Sequence, residues 1–240
     1  YAQQSNALAA SASNQSPLMG YEWLYTYFER CNDPWLVCIA CCDNELICVL
    51  PLIKTQEKRY GISYQALSLP YSTETMSVDM LLKGVGQDSL FQAMVKHVMA
   101  YFPRVQCLHF KRIDNVSKTL SYDRPWLSIK AFIENGASLS NNMLYAERKS
   151  HLPKNFKSNL NKANNKAKKL GKIEFVISDE QLPVEDQLAL LIGVEFDSWK
   201  GVEGTAIACS DDNIQFYKAL VKRLDKQGQL AIHYLKVNDE

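Results

Sequence analysis

Apolar residues in this chain follow two different spacings. Over 35–42 and 46–54 they run nearly unbroken and are rich in Val, Ile and Leu, which predicts two buried strands, and Asp43-Asn44 between them is a hairpin signal. Weaker strand patterns lie at 60–69 and 76–82, on either side of Pro70, and at 105–110. Helical spacing predicts a short aromatic helix over 21–30 through Trp23, Leu24, Tyr27 and Phe28. It predicts a second over 89–102, where Phe91, Met94, Val95, Val98 and Phe102 share one face and Pro103 comes next. Residues 1–20, rich in Ala, Ser, Gln and Asn, read as irregular, and 117–142 as a linker with short strands.

The second half is more regular. Phe156, Leu160, Ala163, Ala167 and Leu170 step by alternating helical intervals, Pro153 suits a first turn, and Gly171 suits a stop. The stripe predicts that helix 153–170 packs against a sheet and leaves its lysines facing solvent or an anionic substrate. Beyond it the pattern predicts a strand at 172–178, helices at 183–200 and 211–227 (Ser210 as N-cap), and a strand at 230–237. No partner for the last strand is recognisable, so the pattern predicts a sheet interrupted at the end of the chain. The order of elements predicts an α+β protein with mixed sheets flanked by helices. It divides into an N-terminal lobe, 1–145, and the start of a second, truncated lobe, 146–240.

Composition narrows the class. With 240 residues, 47% hydrophobic and 22% charged, the chain is long enough for a sizeable core, and 10 Gly and 7 Cys exclude collagen-like, disordered and disulfide-scaffold classes. The net charge of +1 conceals a division: residues 147–172 hold nine basic residues and one acid, a local +8, so the remainder carries −7. No basic n-region precedes an apolar stretch near residue 1, and no apolar run approaches the about 20 residues of a membrane span. The reading is a cytoplasmic chain with reduced thiols. Cys38-x2-Cys41-Cys42-x5-Cys48 could suggest zinc, but no second pair completes it, and Cys38 and Cys41 would face opposite sides of a strand. No metal site is expected.

Four places could carry chemistry. On helix 183–200, Leu188, Leu191, Ile192 and Trp199 form an apolar stripe, and Glu195 falls about 20° from Leu188 at the helical repeat. A carboxylate on an apolar face either titrates near neutrality, as a general base needs, or is held by a lysine or a backbone amide. The adjoining Ser198-Trp199-Lys200-Gly201 reads either as a ligand-lined turn, with Trp199 and Lys200 toward a substrate, or as a basic C-terminal cap. Gly84-Val85-Gly86 before a helix could admit a phosphate, although Asp88 places a negative charge there. The lysine helix, Lys157 included, is a solvated face or an anion-attracting one; without interleaved arginines or aromatics it is a poor nucleic-acid reader. The four histidines have no metal-ligand spacing, and no Ser-His-Asp pattern is present.

The second half also resembles a known family. The segments that carry the resemblance are Leu152-Pro153-Lys154-x2-Lys157-x2-Leu160-x-Lys162-Ala163, Glu195-x2-Ser198-Trp199-Lys200-Gly201, Gly204, and Phe216-Tyr217-x2-Leu220 before Gly228-x-Leu230. They are similar to the acetyltransferase-like domain of the cellulose-biosynthesis CelD type, within the GNAT superfamily and related to FemAB-type transferases. Tyr1, Pro17 and Glu22-Trp23-Leu24 resemble the opening segment of such chains. The family often has arginines where this chain has lysines. The resemblance implies two GNAT-like lobes and transfer of an acyl group, from acetyl-CoA or another acyl-CoA, to an amine or hydroxyl of a small-molecule or glycan-precursor acceptor. It implies polysaccharide or envelope-precursor biosynthesis as the setting. In that scheme Glu195 is the base, Trp199 and Lys200 line the acceptor side, and Lys157 offers charge to an anionic group; Gly84 and Gly86 are candidate cofactor contacts on their own spacing alone. A FemAB-like aminoacyl transferase using charged tRNA and a non-catalytic binding module are the competing readings.

Overall fold

The computed structural model describes residues 1–11, 16–84, 88–113, 117–122, 145–178 and 181–238. The chain forms two compact units, Tyr1–Glu134 and Asn135–Glu240. Both mix helices with sheet, as an α+β protein does.

In the first unit, β1 (Trp35–Cys42) and β2 (Glu45–Arg59) form the expected hairpin. Asp43 (φ 48°) and Asn44 (φ 64°) adopt the left-handed pair that such a tight turn requires. β2 is longer than its apolar run, because Tyr60 and Gly61 make a second left-handed turn and return the chain as β3 (Ile62–Ser68). The strand pattern at 76–82 yields only β4 (Leu81–Leu82), paired to Cys48 and Val49. β5 (Cys107–His109) lies parallel to β3, so the sheet is mixed. Residues 123–144, most of the expected linker, lie outside the described residues, and 118–120 form one 3-10 turn.

The aromatic helix expected over 21–30 is α2 (Tyr21–Arg30), and the helix predicted over 89–102 is α3 (Asp88–Tyr101). In α3, Phe91, Met94, Val95 and Val98 are buried in one cluster with Cys48, Leu50, Leu52, Leu67 and Leu69 of the sheet. Burial pushes the Cys48 thiol up to about 12, which fits a cysteine serving as a small apolar core residue.

The N-terminus departs from its expectation: Ala2–Ser11 is a helix, α1, not irregular chain. Its few apolar side chains suffice, because Leu8 and Ala9 cluster with Met19, Leu46, Val49 and Leu81. Its amides make tertiary bonds rather than solvating a loop. Gln4 Oε1 accepts the Leu46 N–H at 2.8 Å, Asn6 Oδ1 accepts the Tyr21 N–H at 2.7 Å, and Asn6 Nδ2 donates to the buried Glu22 at 2.8 Å.

The second unit runs α4 (Tyr145–His151), α5 (Lys154–Leu170), β6 (Ile173–Ile177), α6 (Val184–Phe196), α7 (Trp199–Val202), α8 (Asp211–Lys226) and β7 (His233–Val237). Two expectations are corrected here. The last strand has a partner: β7 pairs antiparallel with β6, from Ile173↔Val237 to Ile177↔His233. Asn238 closes that pair, donating to the Leu170 carbonyl and accepting the Lys172 N–H at 2.9 Å. It passes so near the backbone that a Cβ on Gly171 would lie 2.0 Å from its Oδ1. The second correction concerns α5, whose stripe does not pack against the sheet. No residue of α5 is buried, and Phe156 and Leu170 remain 55% and 64% exposed. Periodicity identified the helix, but burial needs an opposing surface. The small β6–β7 sheet leaves its own Phe175, Ile177 and Leu235 exposed instead of supplying one. The buried apolar residues of the unit come from Leu188 of α6, Phe216, Leu220 and Val221 of α8, and Ala206 and Ile232.

Candidate functional site

Side-chain hydrogen bonds tie the end of α6 to the turn after it. Ser198 stops α6 and caps α7: its Oγ donates to the Glu195 carbonyl at 2.6 Å and accepts the Lys200 N–H at 3.2 Å. The chain then doubles back. Gly204 sits at φ 71°, and the Lys200 carbonyl accepts the N–H groups of Thr205 at 2.8 Å and Ala206 at 3.2 Å. This brings Ile207, at the start of a 3-10 turn (Ile207–Cys209), over the Glu195 side chain.

Glu195 ties the segment together. Lys200 Nζ donates to its Oε1 at 2.5 Å, and the Ile207 N–H donates to its Oε2 at 2.8 Å. Partial burial pushes its carboxyl up, but the Lys200 ammonium and the Ile207 N–H outweigh burial and leave it below the ordinary carboxylate value. This corrects the expectation of a group titrating near neutrality. Of the two alternatives open in the sequence, the carboxylate is held by both a lysine and a backbone amide. Its position on the helix face was legible, whereas its partners come from residues further along the chain.

Two accepted hydrogen bonds leave acceptor capacity, since an ionised carboxylate has about four lone-pair sites. Trp199, the first residue of α7, is 64% exposed. Removing the cap should be felt locally. Ser198→Ala is expected to lower stability by about 1 kcal/mol, read as a shift in the urea midpoint with an unchanged slope.

The other candidates lie elsewhere. Lys157 Nζ donates to the Ser150 carbonyl at 2.6 Å, which fastens α5 to the end of α4. Gly84 (φ 88°) precedes α3 in the first unit, and Gly86 lies outside the described residues. The first turn of α3 carries Asp88, a charge of the same sign as a phosphate. Among the described residues no group of three or more His, Cys, Asp or Glu is placed to hold a metal ion, and no helix is long and apolar enough to cross a membrane.

A cleft of about 370 Å³ in the same unit, lined in part by Ser178, Gln187, Asp225 and Ile232, was not foreseen. Its walls come from a strand end, a helix start and a helix end, which share no sequence pattern. The buried Gln187 was the available signal: its amide donates to the Leu182 carbonyl at 2.9 Å.

Residues 154–240, just over a third of the sequence and all within the second unit, match the family described as acetyltransferase (GNAT) domain. The match supports the GNAT superfamily for this unit and acyl-CoA-dependent acyl transfer as its general chemistry. No curated protein and no solved structure matches the chain.

Proposed function

We propose that the protein transfers an acyl group, acetyl in the first instance, from its CoA thioester to an amine or hydroxyl, with Glu195 as the group that receives the acceptor's proton. The observation that supports this is the Glu195 carboxylate: ionised, fastened at both oxygens, retaining acceptor capacity, and followed in the chain by the exposed Trp199 at the start of α7. A carboxylate held below its ordinary pKa is a weak base. It accepts a proton readily only from a group that turns acidic as the new bond forms, as an amine nitrogen does when it attacks a thioester carbon. The thioester carbon–sulfur bond then breaks, CoA leaves as the thiolate and takes a proton from water, Glu195 returns its proton to water, and the acyl group stays on the acceptor.

Lys200 keeps Glu195 charged and Trp199 offers a flat apolar wall to the acceptor. Lys154 and Lys157, in a first helical turn that holds no acid, supply the charge sign that an anionic substrate group needs. A sugar amine or hydroxyl of a polysaccharide or envelope precursor is the acceptor class that the resemblance of the second half suggests.

Release of CoA from acetyl-CoA by the full chain, monitored with a thiol reagent against amino-sugar and polyol acceptors, tests the reading. Acceptor-dependent release supports it, and none above the blank across both classes sinks it. The ion pair makes a pH prediction. The folded-state pKa of Glu195 is lowered, so the charged form, and the stability it contributes, is present above the ordinary carboxylate range and is lost as pH falls through the folded value. Activity should therefore show its acid limb below that range. Lys200→Met removes the ammonium and leaves burial opposed only by the Ile207 N–H, so the limb should move to higher pH. An unmoved limb would rule Glu195 out as its source.

A further inference from the structure

The sheet of the first unit aligns a thiol, an imidazole and a carboxylate that the acyl-transfer reading does not use. Cys107 and His109 are two apart on β5, so their side chains leave the same face, opposite Ala66 and Ser68 of β3. Cys107 Sγ lies 3.3 Å from His109 Nε2. On the far side of the ring, His109 Nδ1 lies 3.8 Å from Glu57 Oε1; this nitrogen is buried and has no hydrogen-bond partner among the described residues. Glu57 is held on β2 by Lys111 Nζ at 2.9 Å and Thr55 Oγ1 at 3.3 Å, and the Tyr64 ring meets the imidazole edge-on at 6.0 Å.

We propose that Cys107 is a base-assisted nucleophile and a covalent modification site for small, soft carbon electrophiles, with His109 as its base and Glu57 as the carboxylate that orients His109. Nucleophile, base and orienting group stand in the order that such chemistry needs, and the Cys107 side chain is partly exposed. In the step, a bond forms between Sγ and the electrophilic carbon while that carbon's bond to its leaving group breaks. The thiol proton passes to Nε2, and the resulting imidazolium faces Glu57 before giving the proton to water. No oxidant or other co-reactant is required.

The resting pair is neutral. Burial, helped by Lys111, lowers the His109 pKa against the opposing pull of Glu57, and Arg59 adds to the lowering; burial and Glu57 raise that of Cys107 against Lys111. Among the described residues Tyr64 also meets the ring. A lone thiol reacts as its own proton leaves, so its rate climbs toward and above its raised pKa. A thiol relieved of its proton by His109 becomes reactive once the imidazole is neutral, at lower pH.

The test is limited alkylation of the full chain with iodoacetamide from pH 5 to 9, with peptide mass mapping. The expected result is that Cys107 labelling rises through the lowered His109 titration and levels off. At neutral pH it should exceed labelling of the comparably half-buried Cys38 by about tenfold or more, and His109→Gln should abolish that advantage. The proposal is overturned if wild-type Cys107 labelling climbs only with the thiol's own ionisation, or if His109→Gln leaves its rate unchanged. Protection of the fully buried Cys48 reports that the variant is folded. If Cys48 becomes labelled in the variant, the wild-type pH profile decides alone.

Discussion

Glu195→Gln is expected to lower acyl transfer by about two to four orders of magnitude, the usual contribution of a positioned general base. The substitution is nearly isosteric, but its single amide oxygen can replace only one of the two carboxylate oxygens that accept from the Ile207 N–H at 2.8 Å and Lys200 Nζ at 2.5 Å, and its amide nitrogen faces the other donor. The variant should therefore lose some stability with the ion pair, and its rate is to be compared with that of the wild type at a temperature where thermal unfolding shows both to be folded. The pH profile separates two roles. If Glu195 receives the proton, the residual activity of the glutamine variant has no acid limb from this group. If the residue only positions the turn, the limb remains and the loss is small. Turnover close to that of the wild type in a folded variant would remove Glu195 from the chemistry.

The second large effect is on stability. Gly201→Ala is expected to cost about 3 kcal/mol or more, because a Cβ there would lie 1.8 Å from the carbonyl oxygen of Phe196 and 2.8 Å from its carbon. Both atoms are backbone, so no side-chain rotation relieves the overlap; α7 would have to lift away from the end of α6 and carry Lys200 with it. Gly193, eight positions earlier, makes the opposite case. It lies inside α6 with nothing within 4 Å of a Cβ, so Gly193→Ala should stabilise by about 0.5–1 kcal/mol through helix propensity alone. Urea unfolding of the two variants, compared at equal slope, checks both signs. A Gly201→Ala midpoint within error of the wild type would show that α6 and α7 do not meet in solution as they do here.

These glycines show why only part of the site was legible. The segment Glu195-x2-Ser198-Trp199-Lys200-Gly201 stands out through its mixture of carboxylate, cap, aromatic, cation and glycine, and helical phase placed Glu195 on the face of Leu188. What Glu195 touches could not be read from that phase. Lys200 lies beyond the break in the helix and Ile207 beyond a left-handed turn at Gly204, and each adds a contact that lowers the carboxyl pKa where burial alone would raise it. The same gap separates Cys107, His109 and Glu57. The i, i+2 spacing of the first two is visible in a strand, but their carboxylate arrives from β2, brought alongside by the pairing of Glu57 with Tyr64 on β3.

By itself the sequence determined the features that local preference and short-range periodicity control. It located the hairpin at Asp43-Asn44, which tolerates left-handed backbone, and α3, whose apolar residues repeat every turn. It also located α5, bounded by Pro153 and Gly171. Tertiary structure decided whatever depended on a surface from elsewhere in the chain. Ala2–Ser11 became a helix because Val49 and Leu81 cover its small apolar face and its amides find backbone partners. The stripe of α5 stayed exposed because burial is a property of two surfaces and periodicity describes only one. Glu195 became a fastened anion rather than a neutral acid because a charge is governed by its nearest partners, and those were set by how the chain turned after Ser198.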